Sequence, residues 1–239
     1  MIKRNEIILA LSKIPKFGPM RVRQIMNNFT DENLLDLSDI KFELKKEAPG
    51  FDMHTFQKYI ELTKYEIERC ESQSIYIKNY LDTDYPEILK SIDNYPNIIF
   101  IKGSEELLNK HERNIAIIGT RKPSKTGEQL AFDLAKVLSK NGDSIVSGLA
   151  LGCDTNAHKG CLEADGLTIA VLAHGLDVIT PSSNIRLAAQ IIEKGGTLVS
   201  EYSIETPPQK FMYIQRNRIQ SALSKIVILI ESDIRGGSM

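Results

Sequence analysis

Residues 114–122 read Asn-Ile-Ala-Ile-Ile-Gly-Thr-Arg-Lys, a short apolar run closed by a glycine and followed by two cations. Ile115 to Ile118 lack polar alternation, which predicts a strand buried on both faces. Gly119 ends it, and the amphipathic run from Ser124 predicts a helix. In an open α/β sheet, ligands sit outside the carboxyl ends of the strands. A helix N-terminus there offers free N–H groups and a partial positive charge. Arg121 stands at that place with a full charge and a planar fork suited to phosphate. The expected ligand is therefore a phosphate, free or in a chain. An ion pair between Arg121 and a nearby carboxylate is the competing reading.

Working outward, residues 73–239 alternate strand and helix. Strands are expected at 75–78, 97–102, 114–118, 144–147, 167–173, 197–200 and 225–230, with helices at 124–141, 154–165, 183–194 and 211–223. Apolar strands separated by helices indicate a parallel sheet covered on both faces. The expected fold class is α/β, a Rossmann-like, doubly wound, mostly parallel sheet.

Residues 1–72 have a different texture, that of a small all-α domain. Ile7, Ile8, Leu11 and Ile14 mark one apolar stripe, and Val22, Ile25, Met26 and Phe29 the next, with Pro15 and Gly18-Pro19 between them. A fainter second unit follows Ala48-Pro-Gly-Phe51. The spacing resembles a helix-hairpin-helix or sterile-alpha-motif module. From Ile7 to Thr30 every charged side chain is positive: Lys13, Lys16, Arg21 and Arg23. These suit a phosphate backbone. However, Lys16 stands where such turns carry a glycine that lets backbone N–H groups reach phosphate. The favoured reading is a compact helical domain with a solvated basic edge.

Composition narrows the functional classes. The formal net charge is −1, so nucleic-acid binding must rest on local patches. Cys70, Cys153 and Cys161 have no metal-ligand spacing and suggest reduced thiols in a cytosol. No signal peptide and no apolar run of ~20 residues is evident, so a cytoplasmic protein away from membranes is expected.

The predicted strand ends collect the unusual residues. Gly148-Leu-Ala-Leu-Gly-Cys-Asp-Thr-Asn-Ala-His158 follows one strand, and Gly148 and Gly152 permit close approach of a ligand. Asp154 is expected to cap the next helix, with His158 one turn on; an acid–base or metal half-site is the weaker alternative. Asp177 enters the same rim, Ser182 or Ser183 is expected to cap a later helix, and Glu201 follows Gly195-Gly196. Between Glu205 and Glu231 no acidic residue occurs, while Lys210, Arg216, Arg218 and Lys225 are positive and Phe211 and Tyr213 lie among them. Cations interleaved with aromatics suit a single strand, whose bases stack and whose phosphates are neutralised. Alternatively, the aromatics are core and the arginines pair with Asp177 or Glu201.

Taken together, the ordered motifs are similar to those of the DprA/Smf family of DNA-processing proteins. They comprise Asp84-Tyr-Pro86, Pro96 to Gly103, Gly119-Thr-Arg121, Ser147 to Asp154, Ala157-His158, Thr168 to Leu172, Gly175-Leu-Asp177, Ser200-Glu201 and Arg216-Asn-Arg-Ile219. The resemblance implies a cytosolic, non-enzymatic protein that binds single-stranded DNA and helps load the RecA recombinase during natural transformation or recombination. It also implies a homodimer and no cofactor. Carried over by position, it assigns phosphate contact to Gly119, Thr120 and Arg121, the adjoining loop to Gly148 and Gly152, and the later basic motif to Arg216, Asn217 and Arg218. Lys210 and Tyr213 complete the expected DNA-binding set. Two departures stand out. The loop Pro181-Ser-Ser-Asn184 lacks the basic residue that relatives often carry, and Arg235-Gly-Gly-Ser-Met239 ends inside a motif that normally leads into another helix. An alternative from a different class is a nucleotide-binding enzyme or sensor related to nucleotide phosphoribohydrolases, using Asp154, Asp177 or Glu201 beside Arg121.

Overall fold

The computed structural model of the chain describes residues 2–29 and 34–232; the expectation for Arg235–Met239 lies outside them. The chain divides into two compact units, one comprising Met1–Tyr85 with Asp93–Ile99, the other Pro86–Ile92 with Phe100–Met239.

In the first unit, helices α1 (Arg4–Ser12), α2 (Pro19–Met26), α3 (Leu37–Glu47) and α4 (Met53–Ser72) bury the predicted stripes. Ile7, Ile8, Leu11, Ile25 and Met26 are almost wholly inaccessible. Pro19 opens α2, where its missing N–H costs nothing. Asp36 caps α3 through Ser38 N, and Asp52 caps α4 through His54 N and Thr55 N, each such cap being worth ~1 kcal/mol. A two-stranded ladder, β1 (Ile2–Lys3) against β2 (Leu34–Leu35), closes the module. The unit runs beyond residue 72 because Tyr85 is buried and its hydroxyl donates to Pro96 O at 2.6 Å. Two of the four cations of the basic edge are engaged inside it. Lys13 pairs with Glu66 at 2.8 Å, and Arg23 donates to Tyr95 O and Asn97 Oδ1 while lying 3.9 Å over the Tyr95 ring. Lys16 takes the left-handed conformation, φ +65°, at the turn position where a glycine was missed.

The second unit is the predicted α/β layer. Its strands β4 (Ile98–Gly103), β5 (Asn114–Ile118), β6 (Ser144–Ser147), β7 (Thr168–Leu172), β8 (Thr197–Ser200) and β9 (Ile226–Leu229) follow the order β4-β8-β7-β6-β5-β9. In the first unit, β3 (Tyr76–Asn79) flanks the opening residues of β4, Ile98 and Ile99. β4 is antiparallel to β8, and the other registered pairs of this layer are parallel. Helices α5 (Lys125–Lys140) and α6 (Cys153–Glu163) pack small residues, Ala131, Ala135 and Ala157, against Ile117 and Ile145. Helices α7 (Ile185–Glu193) and α8 (Lys210–Ala222) complete the unit. Neither Ser182 nor Ser183 caps α7. Residues 182–184 wind into a 3₁₀ turn, and the Asn184 amide donates instead to Leu149 O and Thr155 Oγ1. Strand β9 forms the edge, with Ile226, Val227 and Leu229 exposed. Among the described residues, no helix is long and apolar enough to cross a membrane.

Candidate functional site

At the carboxyl end of β5, a crevice of about 600 Å³ opens between the loop Gly119-Thr120-Arg121-Lys122 and helix α8. The loop runs on from β5 because Gly119 ends the apolar strand; α8 supplies Lys210, Tyr213 and Asn217 to the opposite wall. Arg121 is exposed, and its guanidinium lies over the Tyr213 ring, 4.6 Å from the centroid. No carboxylate among the described residues pairs with it. The geometry therefore lacks the ion pair that competed with a phosphate role.

One expected anchor is already taken. The N-terminus of α5 was the predicted phosphate seat, but Glu231, just beyond β9, fills it. Its carboxylate accepts from Ser124 N at 2.9 Å and from Ser124 Oγ at 2.5 Å, and its carbonyl accepts from Thr120 N at 2.7 Å. The Ser124 hydroxyl and N–H hold the Glu231 carboxyl below the usual range. A phosphate in this crevice thus meets side chains, Arg121, Lys122 and Lys210, and not the backbone of that helix end.

The adjoining glycine loop is held from both sides. Asp154, expected as a helix cap, instead accepts from Gly148 N at 3.1 Å and Ala150 N at 3.3 Å; α6 begins after Gly152 without a side-chain cap. Arg216, expected on phosphate, is 5% exposed, and its Nη1 donates to Gly148 O at 3.0 Å and to Val171 O. A Cβ on residue 148 would lie 2.6 Å from the Arg216 Cζ, so only glycine lets the guanidinium through. Burial pushes the Asp154 carboxyl up, against the pull of the Arg216 charge. Gly152 sits at φ +78°, and a Cβ there would press on Pro123 and the Arg121 backbone. These two glycines pack the loops that shape the wall.

The remaining basic motif divides by helix face. Arg218 pairs with Glu201 at 2.5 Å, the alternative reading, and does not border the crevice. Burial raises the Glu201 carboxyl, with Arg218 opposing the shift. Phe211 is exposed outside the crevice, and only Tyr213 of the two aromatics lines it. The acids proposed for catalysis are similarly engaged: Asp177 accepts from Glu205 N through both oxygens. His158 is fully buried, its Nδ1 on Thr168 Oγ1 at 2.7 Å, and burial pushes it down to about 3. Lys122 and Glu231 were not singled out from sequence. Glu231 carried a signal, as the acid that closes the acid-free stretch.

The family described as DNA recombination-mediator protein A matches residues 76–239. Protein Smf of Escherichia coli (strain K12) is 41% identical over 155 residues, covering 65% of this chain and 41% of the relative. DNA processing protein DprA of Bacillus subtilis (strain 168) is 43% identical over 155 residues, covering 65% and 52%. The chain spans about half the length of the curated relatives it matches. Among solved structures, DNA processing protein A from Streptococcus pneumoniae aligns with a TM-score of 0.80 at 32% identity, covering 100% of this chain and 81% of that one. The Helicobacter pylori protein, whose structure describes a single-stranded DNA binding mode, aligns at 0.61 with 34% identity, covering 69% and 72%.

Proposed function

We propose that this chain, which belongs to the DNA recombination-mediator protein A family, binds single-stranded DNA in the crevice beside Arg121. The observation that carries the reading is the exposed Arg121 guanidinium stacked on Tyr213, with Lys122 and Lys210 on the same crevice. A cation backed by an aromatic face neutralises a phosphate and offers a stacking surface to the neighbouring base. Contacts of this kind position a strand without reading its sequence. Paired bases cannot reach the ring, which disfavours duplex. Arg121, Lys122, Lys210 and Asn217 serve as direct contacts with Gly119 and Thr120 beneath them, while Gly148, Gly152 and Arg216 hold the wall. In this reading the protein acts in the cytoplasm, hands its strand to a RecA recombinase during transformation or recombination, and raises its avidity as a homodimer.

Titration with a single-stranded oligonucleotide, the matching duplex and a mononucleotide at two salt concentrations tests the reading. Expected are preference for the single strand and a log–log salt slope of about −0.7 per neutralised phosphate. Equal affinity for duplex, or a flat salt response, overturns it.

A further inference from the structure

The loop from Thr120 to Ser124 is gripped at both ends by one residue. Thr120 N donates to the Glu231 carbonyl at 2.7 Å, while Ser124 N and Ser124 Oγ donate to the Glu231 carboxylate at 2.9 and 2.5 Å. Between the two grips lie only Arg121, Lys122 and Pro123. Two glycines admit Glu231 to this place. A Cβ on Gly119 would lie 2.9 Å from the Glu231 carbonyl oxygen, and one on Gly127 would lie 2.6 Å from the Glu231 Cδ. The start of α5 is therefore shaped around this carboxylate.

Capping does not account for the arrangement. Ser124 already caps α5, its Oγ accepting from Gly127 N at 3.0 Å, and one such side chain is what a helix start ordinarily uses. Charge does not account for it either. Glu231 sets an anion against the loop that carries Arg121 and Lys122, where Coulomb's law alone opposes a polyanion. A residue that duplicates a cap and weakens attraction has its use in geometry. We propose that Glu231 is a positioning residue for DNA binding. By fixing both ends of the loop it holds the Arg121 guanidinium over the Tyr213 ring, so that an arriving strand has no loop to order. The inference rests on the single-strand reading and names a residue, outside the direct contacts, that sets its affinity.

Oligo-dT titrations of the full chain compare the parent with Glu231→Ala, Glu231→Gln, Gly127→Ala and the double change Gly127→Ala, Glu231→Ala. Glu231→Ala is expected to weaken binding by about five- to tenfold, the low end of coupling between linked sites, although it removes a negative charge. The salt slope stays at the parental value, because no phosphate contact is lost. Glu231→Gln keeps an acceptor for Ser124 and restores most of the affinity. Gly127→Ala suits a helix, alanine being the better helix former, yet its methyl displaces the carboxylate and weakens binding to the same degree. In the Glu231→Ala background it adds nothing, since both changes remove one interaction. Binding by Glu231→Ala as tight as the parent's or tighter, or losses that add in the double variant, overturns the positioning role and leaves single-strand binding standing. No binding of oligo-dT by the parent overturns both.

Discussion

The guanidinium of Arg121 lies over the face of Tyr213, 4.6 Å from the ring centroid, joining the crevice's exposed charge to its one aromatic wall. Arg121→Lys keeps the charge and loses the planar fork, so single-strand affinity falls. Arg121→Ala falls further, by ~1.5–3 kcal/mol for a charge-assisted contact. Thermal unfolding of both variants should match the parent, since no carboxylate depends on Arg121. A lower melting temperature with unchanged affinity would make it a structural residue.

Arg216 is expected to behave differently despite lining the same crevice. Its Nη1 is committed to Gly148 O and Val171 O. Arg216→Ala leaves those carbonyls and the buried Asp154 without their cation, a loss of ~3–5 kcal/mol in folding stability. In Arg216→Lys, binding weakens while the salt slope stays at the parental value, because no phosphate contact is lost. A slope reduced by about 0.7 would instead identify a direct phosphate ligand.

The basic edge of the first unit should contribute little to binding. Lys13 and Arg23 already have internal partners, which leaves Lys16 and Arg21 as the outward charges. The double change Lys16→Ala, Arg21→Ala should reduce oligonucleotide affinity by less than about tenfold, ~1.4 kcal/mol. A larger loss in the titration would make that edge a contact surface.

His158 imposes a pH dependence on stability. Its folded value of about 3 lies below the ordinary 6.5, so the unfolded chain takes up the proton first as pH falls. The contribution is complete above pH 6.5 and shrinks below it by about 1.4 kcal/mol per unit until the folded ring protonates. His158→Asn should flatten the denaturant-midpoint profile between pH 6.5 and 5. An unchanged slope would show that another group carries the proton uptake.

The layout of the sheet was legible because strands buried on both faces need continuous apolar runs: 144–147 and 197–200 match β6 and β8 residue for residue. The position of Arg121 on the loop after β5 was legible too, since Gly119 marks the carboxyl end of an apolar strand. What sequence could not order was the basic motif. Arg216 and Arg218 differ by two positions and so point to different faces of one helix, one into the main chain of Gly148 and one onto Glu201. Asp154 misled for a related reason: local spacing suggested a cap, but the preceding loop folds back to claim its carboxylate. Glu231 stood out only as the acid that closes the acid-free stretch, and its role could not be read because its partner Ser124 lies 107 residues away.

That separation bears on the order of assembly. The loop carrying Arg121 takes its final tie from Glu231, which reaches it only after β9 has docked beside β5. Closing so long a segment costs chain entropy that local contacts do not repay. In a chain synthesised from its N-terminus, the sheet's inner strands and α5 can associate while this loop still lacks its latch. The loop that carries Arg121 is then latched only after β9 has joined the inner strands of the sheet.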